Sequence, residues 1–299
     1  EAKIEEILVP SPDRIEAPCP YFGICGGCQW QHVTYERQLE YKRGHVEEAL
    51  SHIGSLSGIE VHDPIPSEKR FGYRNKMEFS FSDRAWLLHP PSPISTPTLT
   101  LPPQRGRELG ENGRGEVAVK QESSGKLALG LHVPGTFDKI IDVEACLLQQ
   151  ERGNEILREV KRFALDSRLP PYGLKSHEGF WRFLTLRHSA YLDEWMVNVV
   201  TSEEKRDVLL HLAQRLAALF PNVKTVVNNI SARKASIAVG EREVVLSGSG
   251  MIRDRIGAAT FQISANSFFQ TNTRGAEKLY GKVAEYAALT GKETVLDRS

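Results

Sequence analysis

Apolar residues recur along this chain with two different periods, and the periods alternate. Between Arg37 and Leu50 only Gly44 interrupts a helical pattern. Leu39, Val46, Leu50 and Ile53 fall at near-helical spacing, which predicts a helix over 34–53 with Thr34 as its N-cap. A second helix is expected over 149–167, ending before Pro170-Pro171, and a third over 203–219 with Leu209, Leu212, Leu216 and Leu219 inward. A fourth runs from Thr273, its expected cap, to about Ala288, with Gly291 as its stop. The remaining pattern has period two. From Phe71 to Ser82, Tyr73, Asn75, Met77, Phe79 and Phe81 point one way while Arg74, Lys76, Glu78 and Ser80 point the other. Further strands are expected at 2–9, 117–120, 127–132, 140–143, 180–187, 194–200, 223–230, 235–239, 243–246, 261–264 and 293–297. Strand, strand, helix, strand, strand in the middle of the chain implies an α+β layer with a mainly antiparallel sheet.

Residues 88–116 break both periods. Pro, Gly and charge dominate there, and such a composition cannot bury a core, so an inserted, disordered loop between two strands is expected. Arg105, Arg107 and Arg114 are read as part of a passive insertion rather than as ligand contacts. The chain has 299 residues, long enough for about two domains. Formal net charge is zero, which argues against a general basic coat but not against a local basic patch. No apolar run reaches membrane-spanning length, so no membrane association is expected.

The four cysteines change the picture most. Cys19, Cys25 and Cys28 lie within ten residues, with Gly26 and Gly27 between the last pair, and Cys146 follows 118 positions after Cys28. Four thiolates satisfy one tetrahedral S4 metal site or one cubane iron–sulfur cluster. The glycines, lacking Cβ, let the backbone fold tightly and bring N–H groups towards the sulfurs. Spacing alone leaves zinc open as the direct competitor. Disulfides fit poorly, because nothing resembles a secretory signal and a chain this long needs no staples. Metal-type cysteines without a targeting segment imply a reducing cytoplasm. His32, His45, His52 and His188 are read as solvated or packed histidines rather than ligands.

The run Pro18-Cys19-x5-Cys25-Gly-Gly-Cys28-Gln29-x-Gln31-His32, followed by Tyr35, Gln38, Leu39 and Lys42, resembles the iron–sulfur motif of the RNA uracil-5-methyltransferases of the RumA/TrmA type. The resemblance continues through Tyr73-Arg74-Asn75-Lys76, Cys146 and Ser267-Phe268-Phe269-Gln270-Thr271-Asn272, and covers nearly the whole chain. It implies a [4Fe–4S] cluster on Cys19, Cys25, Cys28 and Cys146, with S-adenosylmethionine (SAM) as methyl donor. The cysteines lean towards the enzymes that modify 23S rRNA, and a monomer is expected. Phe268 matches the family's base-stacking aromatic and Gln270 its SAM-contacting glutamine. Arg74 and Lys76 are candidate RNA-phosphate contacts, although a charged solvent face fits their spacing equally well.

The resemblance also sets the expected domains: 1–18 a remnant of an OB-like TRAM domain, 19–65 the cysteine loop and its helix, 66–258 a central α+β RNA-binding domain, and 259–299 the opening of a Rossmann-like SAM domain. The family's cysteine nucleophile and catalytic base are expected beyond Ser299, so no catalytic residue is assigned and the chain is expected to be catalytically incomplete. Two readings from other classes stand beside this one: a non-catalytic RNA-binding iron–sulfur module, and a zinc-stabilised binding domain.

Overall fold

A computed structural model describes residues 7–86, 127–235 and 237–296. The expected insertion 88–116, the strand 117–120, most of the strand 2–9, and Asp297 lie outside the described residues. The chain divides into two compact units, the first drawn from Glu1–Glu68, Phe79–Cys146 and Lys161–Arg182, the second from Lys69–Glu78, Leu147–Val160 and Phe183–Ser299. Strands β1 (Lys76–Ser82) and β5 (Trp181–His188) and helix α2 (Glu151–Ser167) have residues in both.

The first unit opens with helix α1 (Tyr35–Glu48), which continues as a π-helical turn over Ala49–Ile53. The helix forms where the apolar spacing predicts it, but it buries none of its residues, and Val46 and Ile53 are exposed. Its strands run in the order β2 (Ala85–Trp86), β4 (Ile140–Asp142), β3 (Ala128–His132), β1. β3 pairs antiparallel with both β1 and β4, while β2 pairs parallel with β4. Gly130, opposite both Ser80 and Asp142, has no room for a side chain: a Cβ there would stand 1.8 Å from the Ile141 carbonyl oxygen. The core gathers on Trp181, which is fully buried against the rings of Phe81, Phe163 and Phe180, with its indole N–H donating to Ser167 Oγ.

The second unit places β5, β6 (Trp195–Thr201), β7 (Val223–Ile230) and β8 (Arg242–Ser247) in that order. Helix α3 (Arg206–Leu219) joins β6 to β7, which are parallel as a crossover of that length allows. β7 and β8 are antiparallel. The sheet strands are therefore mixed, and the expected mainly antiparallel sheet is corrected at β6–β7 and β2–β4. α3 buries Leu209, Leu212 and Leu216 as expected, but Leu219, at its last turn, is exposed. Strands β9 (Met251–Ile256) and β10 (Ala259–Ser264) form a separate antiparallel hairpin, followed by α4 (Thr273–Ala287). Asn272, not Thr273, caps α4, its side chain accepting from the Gly275 N–H. Met196, Val227, Ile252, Ile263 and Ala265 form one buried cluster here, with Phe269 packed against it.

Two expected strands are absent among the described residues. Residues 235 and 237–239 lie in an irregular connection between β7 and β8, where Glu241 holds the Ala232 N–H and the Arg233 guanidinium. Over 293–296 there is no strand either: the Glu293 carboxylate accepts from the N–H groups of Thr290, Gly291 and Lys292, closing a turn.

Candidate functional site

The cysteine segment lies in the first unit, with Cys146 in the same unit. Its backbone is fixed at several points. The Cys19 N–H donates to Gln31 Oε1 at 3.3 Å, and the Cys25 N–H to the Tyr21 carbonyl at 2.8 Å. Gln38 on α1 donates to the Trp30 and Val33 carbonyls at 3.0 and 2.9 Å, tying the helix to the end of the segment. Residues 13–15 pair with 32–34 through the Arg14–Val33 bridge.

Of the two glycines, only Gly27 turns its N–H towards a sulfur as expected. The Gly27 N–H donates to Cys25 Sγ at 3.4 Å. The Gly26 N–H donates instead to the His132 carbonyl at 3.0 Å, so closely that a Cβ at Gly26 would stand 3.2 Å from that oxygen. A second tether is the Glu144 N–H, which donates to the Tyr21 hydroxyl at 3.0 Å. These two bonds bring the cysteine segment to the turn after β3 and to the turn that carries Cys146. Lys161 steadies the same turn, with Nζ 2.7 Å from both Asp142 and Glu144. Burial alone would lower its pKa, but the two carboxylates outweigh that and raise it.

Cys19, Cys25 and Cys28 are half-buried and Cys146 is buried, and none of the four is in a disulfide. Burial pushes the Cys19 and Cys25 thiols above the usual value, and the Cys28 charge pushes both further the same way, so these three sulfurs sense one another. Among the described residues no group of three or more His, Cys, Asp or Glu stands in ligand geometry for a metal ion. The fit to a four-thiolate group is thus one of donor set and placement. The donors are all sulfur, Cys19, Cys25 and Cys28 interact electrostatically, and the Gly26–His132 and Glu144–Tyr21 bonds tie their segment to β3 and to the turn that carries Cys146. His32, expected to be solvated or satisfied, is half-buried, and its Nδ1 has no hydrogen-bond partner among the described residues.

The second candidate site is the loop from Ala265 to Asn272, in the second unit. Phe268 is 85% exposed, whereas its neighbour Phe269 packs into the core and tilts against Phe261. The loop is held from several sides. The buried Arg187 donates to the Ala265 carbonyl at 3.2 Å and also to the Ser267 carbonyl. Burial lowers the pKa of this guanidinium, with Glu78 opposing. Asn266 donates to Asn229, which donates to Asn198, both at 2.9 Å. The buried Asn75 side chain donates to the Gln270 carbonyl at 2.7 Å and to Thr273 Oγ1 at 2.8 Å, while its N–H donates to the Thr271 carbonyl at 2.9 Å. The Thr273 hydroxyl in turn donates a hydrogen bond to Asp254 at 2.8 Å. Asp254 is fully buried and also accepts from Ser189 Oγ and the N–H groups of Ala190 and Tyr191.

Arg74 and Lys76 flank Asn75. Arg74 precedes β1, anchors its N–H on the Leu148 carbonyl at 2.9 Å, and has a buried Nε without a hydrogen-bond partner among the described residues. Lys76 begins β1, half-exposed, with Nζ 3.7 Å from Glu78. The structure therefore joins the Arg74–Lys76 segment to the Phe268–Gln270 loop through the residue between the two cations. Sequence reasoning assigned Asn75 no role, and passed over Arg187 and Asp254.

No family model matches the chain. It is 41% identical over 298 residues to an uncharacterized RNA methyltransferase of Chlorobaculum tepidum, a match spanning 99% of this chain and 57% of that protein. An uncharacterized RNA methyltransferase of Halalkalibacterium halodurans is 30% identical, over 99% of this chain and 56% of its own length. The chain therefore spans little more than half the length of these relatives. The crystal structure of Pyrococcus abyssi tRNA (uracil-54, C5)-methyltransferase in complex with S-adenosyl-L-homocysteine matches with a TM-score of 0.62 and 24% identity, over 94% of this chain and 53% of that one. Among the described residues no helix is long and apolar enough to cross a membrane.

Proposed function

We propose that this chain belongs to the TrmA/RumA family of RNA methyltransferases and carries the RNA-recognition and iron–sulfur parts of a SAM-dependent 23S rRNA (uracil-5-)-methyltransferase that acts as a monomer in the cytoplasm. The observation that carries this reading is Phe268: 85% exposed at the tip of a loop whose flanking carbonyls are held by Arg187 and Asn75. A large apolar ring that the core does not use, on a loop fixed at both sides, is suited to stack on a base taken out of its own stack.

In this reading Phe268 stacks on the target uracil, and Arg74 and Lys76 bind the phosphates beside it. Arg74 supports the assignment, because a half-buried guanidinium with an unsatisfied Nε is completed by an anion. Gln270, fixed through its backbone by Asn75, orients the cofactor. SAM, when bound, supplies the methyl group. The chemistry needs a thiolate adding at uracil C6 to make C5 nucleophilic, then a base that removes the C5 proton so the thiol can leave. That transfer is proposed for the whole protein, with the roles of residues 1–299 confined to holding base, backbone and cofactor.

Cys19, Cys25, Cys28 and Cys146 would hold the [4Fe–4S] cluster, which ties the cysteine loop to the turn after β4. The tethers Gly26–His132 and Tyr21–Glu144 support that placement. Loading requires the thiols to lose their protons, and burial that raises Cys19 and Cys25 makes the metal the partner that offsets this cost.

The test is Phe268→Trp in the full chain, purified without oxygen and titrated with 23S rRNA fragments and with tRNA. Stacking predicts quenched and shifted emission with uridine-containing RNA, stronger for rRNA. Emission that stays that of an exposed indole at saturating RNA sinks the base-stacking role; a preference for tRNA sinks the rRNA assignment. Iron content and visible absorption of the same sample separate the cluster from zinc.

A further inference from the structure

Beside the Phe268 loop, the hairpin β9–β10 and the start of α4 present a second feature. The ring of Tyr191 lies against two guanidinium groups: the Arg274 Cζ is 3.5 Å from the ring centroid and the Arg255 Cζ 4.7 Å. The ring is itself fixed. Its hydroxyl donates to Glu277, whose other oxygen accepts the Gly257 N–H at 2.8 Å, and its backbone N–H donates to the buried Asp254 at 3.2 Å. Two arginines thus share one aromatic spacer that is anchored at both ends.

The surrounding residues complete a surface. On β9, Met251, Arg253 and Arg255 are exposed while Ile252 and Asp254 are buried. Arg253 and Arg255, two positions apart, are spaced ~6.8 Å along the strand. Across the hairpin, Gln262 pairs with Arg253 and Thr260 with Arg255, adding neutral hydrogen-bonding groups to a face with alternating side chains. Two carboxylates lie close by: Glu194 is 2.8 Å from Arg253, and Glu277 is 3.6 Å from Arg274. Glu194 engages Arg253 at 2.8 Å, whereas Glu277 stands off from Arg274 at 3.6 Å, so Arg255 and the more loosely paired Arg274 are the cations this face offers to a ligand. α4 begins at Thr273, and the positive end of its backbone dipole adds to them.

We propose that Arg255 and Arg274, stacked on Tyr191, form a phosphodiester-binding platform that takes the RNA backbone on the side of the Phe268 loop away in sequence from Arg74 and Lys76. The proposal rests on the reading that the protein binds RNA. Stacking uses the guanidinium faces and leaves their N–H edges for phosphate oxygens, with less side-chain freedom to lose on binding. Arg274 lies four residues beyond Gln270, so backbone held here would flank a base stacked on Phe268. An acidic peptide would meet the same cations. The Gln and Thr edge and the link to the Phe268 loop favour nucleic acid.

The experiment is Arg255→Gln with Arg274→Gln in the full chain, titrated with a labelled single-stranded uridine-rich RNA over a range of KCl, beside wild type and Arg74→Ala/Lys76→Ala. Both arginines are exposed, and an unchanged thermal midpoint confirms the fold. The expected result is several-fold weaker binding and a log–log salt slope shallower by about 1.4, from ~0.7 for each of two phosphates no longer neutralised. Arg255→Lys/Arg274→Lys, which keeps charge but not the planar fork, should recover part of the affinity. Wild-type affinity and slope in the Gln variant overturn the platform while leaving the RNA reading intact. Failure of wild type to bind RNA overturns both. Binding of polyglutamate that the Gln variant loses, with RNA binding unaffected, assigns the face to an acidic protein and overturns the proposal.

Discussion

The side-chain amide of Asn75 donates to the backbone carbonyl of Gln270 at 2.7 Å, across 195 residues of sequence. The same amide reaches Thr273 Oγ1, and the residue is buried. Removing it strands one buried acceptor, Thr273 Oγ1, and one half-buried acceptor, the Gln270 carbonyl, so Asn75→Ala should cost about 1–3 kcal/mol in a urea melt. Asn75→Asp should be worse at neutral pH, because a carboxylate would face the Gln270 carbonyl. Its deficit should shrink as the pH falls and the acid regains a proton to donate. A variant with wild-type stability at every pH would show that the amide does not hold the loop.

Cys28→Ser and Cys146→Ser test the shared sulfur site. Each should lose iron and lower the thermal midpoint of the anaerobically purified protein, since binding energy at such a site is also folding energy. Full iron content in either variant would mean that the ligand set is wrong.

Arg74→Ala with Lys76→Ala should weaken RNA binding and make its log–log salt slope shallower by about 0.7 for each phosphate left without its cation. An unchanged slope would return both residues to a plain solvent-facing role. Lys76 carries the smaller share of the expected effect, because Glu78 already lies 3.7 Å from its ammonium group.

His188 predicts an acid limit to stability. Its ring stacks on Trp195 at 4.4 Å and bonds Asp193 at 3.0 Å. Burial holds it below the ordinary histidine value, with Asp193 and Asp254 opposing and Lys69 assisting. The unfolded chain takes up this proton near pH ~6.5, the folded chain only at lower pH. Between those points the unfolded state binds more protons, so stability present above about pH 6.5 is lost on acidification through the folded value. Thermal midpoints should fall more steeply below that pH in wild type than in His188→Phe. Parallel curves would exclude His188 as the cause.

Periodicity was enough to place all four expected helices and most strands, because in α2, α3 and β6 the buried positions are largely apolar. β9 escaped because its inward face reads Ile252, Asp254, Ile256: a carboxylate on that side breaks the alternation. The strand expected at 235–239 failed for the opposite reason. Ile237 and Val239 are apolar but half-exposed, and only Ala238 reaches the cluster with Phe183 and Val200. At the candidate site, cysteine spacing suggested four sulfur donors, and the family motif pointed to Phe268 and Gln270. The residues that hold the Phe268 loop were not legible, because Arg187 acts on carbonyls 78 and 80 residues away, and no local pattern records such pairs.

Asp254 has a consequence for how the second unit assembles. Three of its donors lie 63–65 residues away, and the fourth, Thr273, is 19 residues away. The β9–β10 hairpin and α4 are local structures, but neither can close over an unpaired carboxylate until the 189–191 turn arrives. This one side chain makes a half-docked hairpin costly, and so joins hairpin, turn and helix into one cooperative event. Amide exchange at Ala190 and Tyr191 should accordingly match that of the hairpin in wild type and decouple from it in Asp254→Asn.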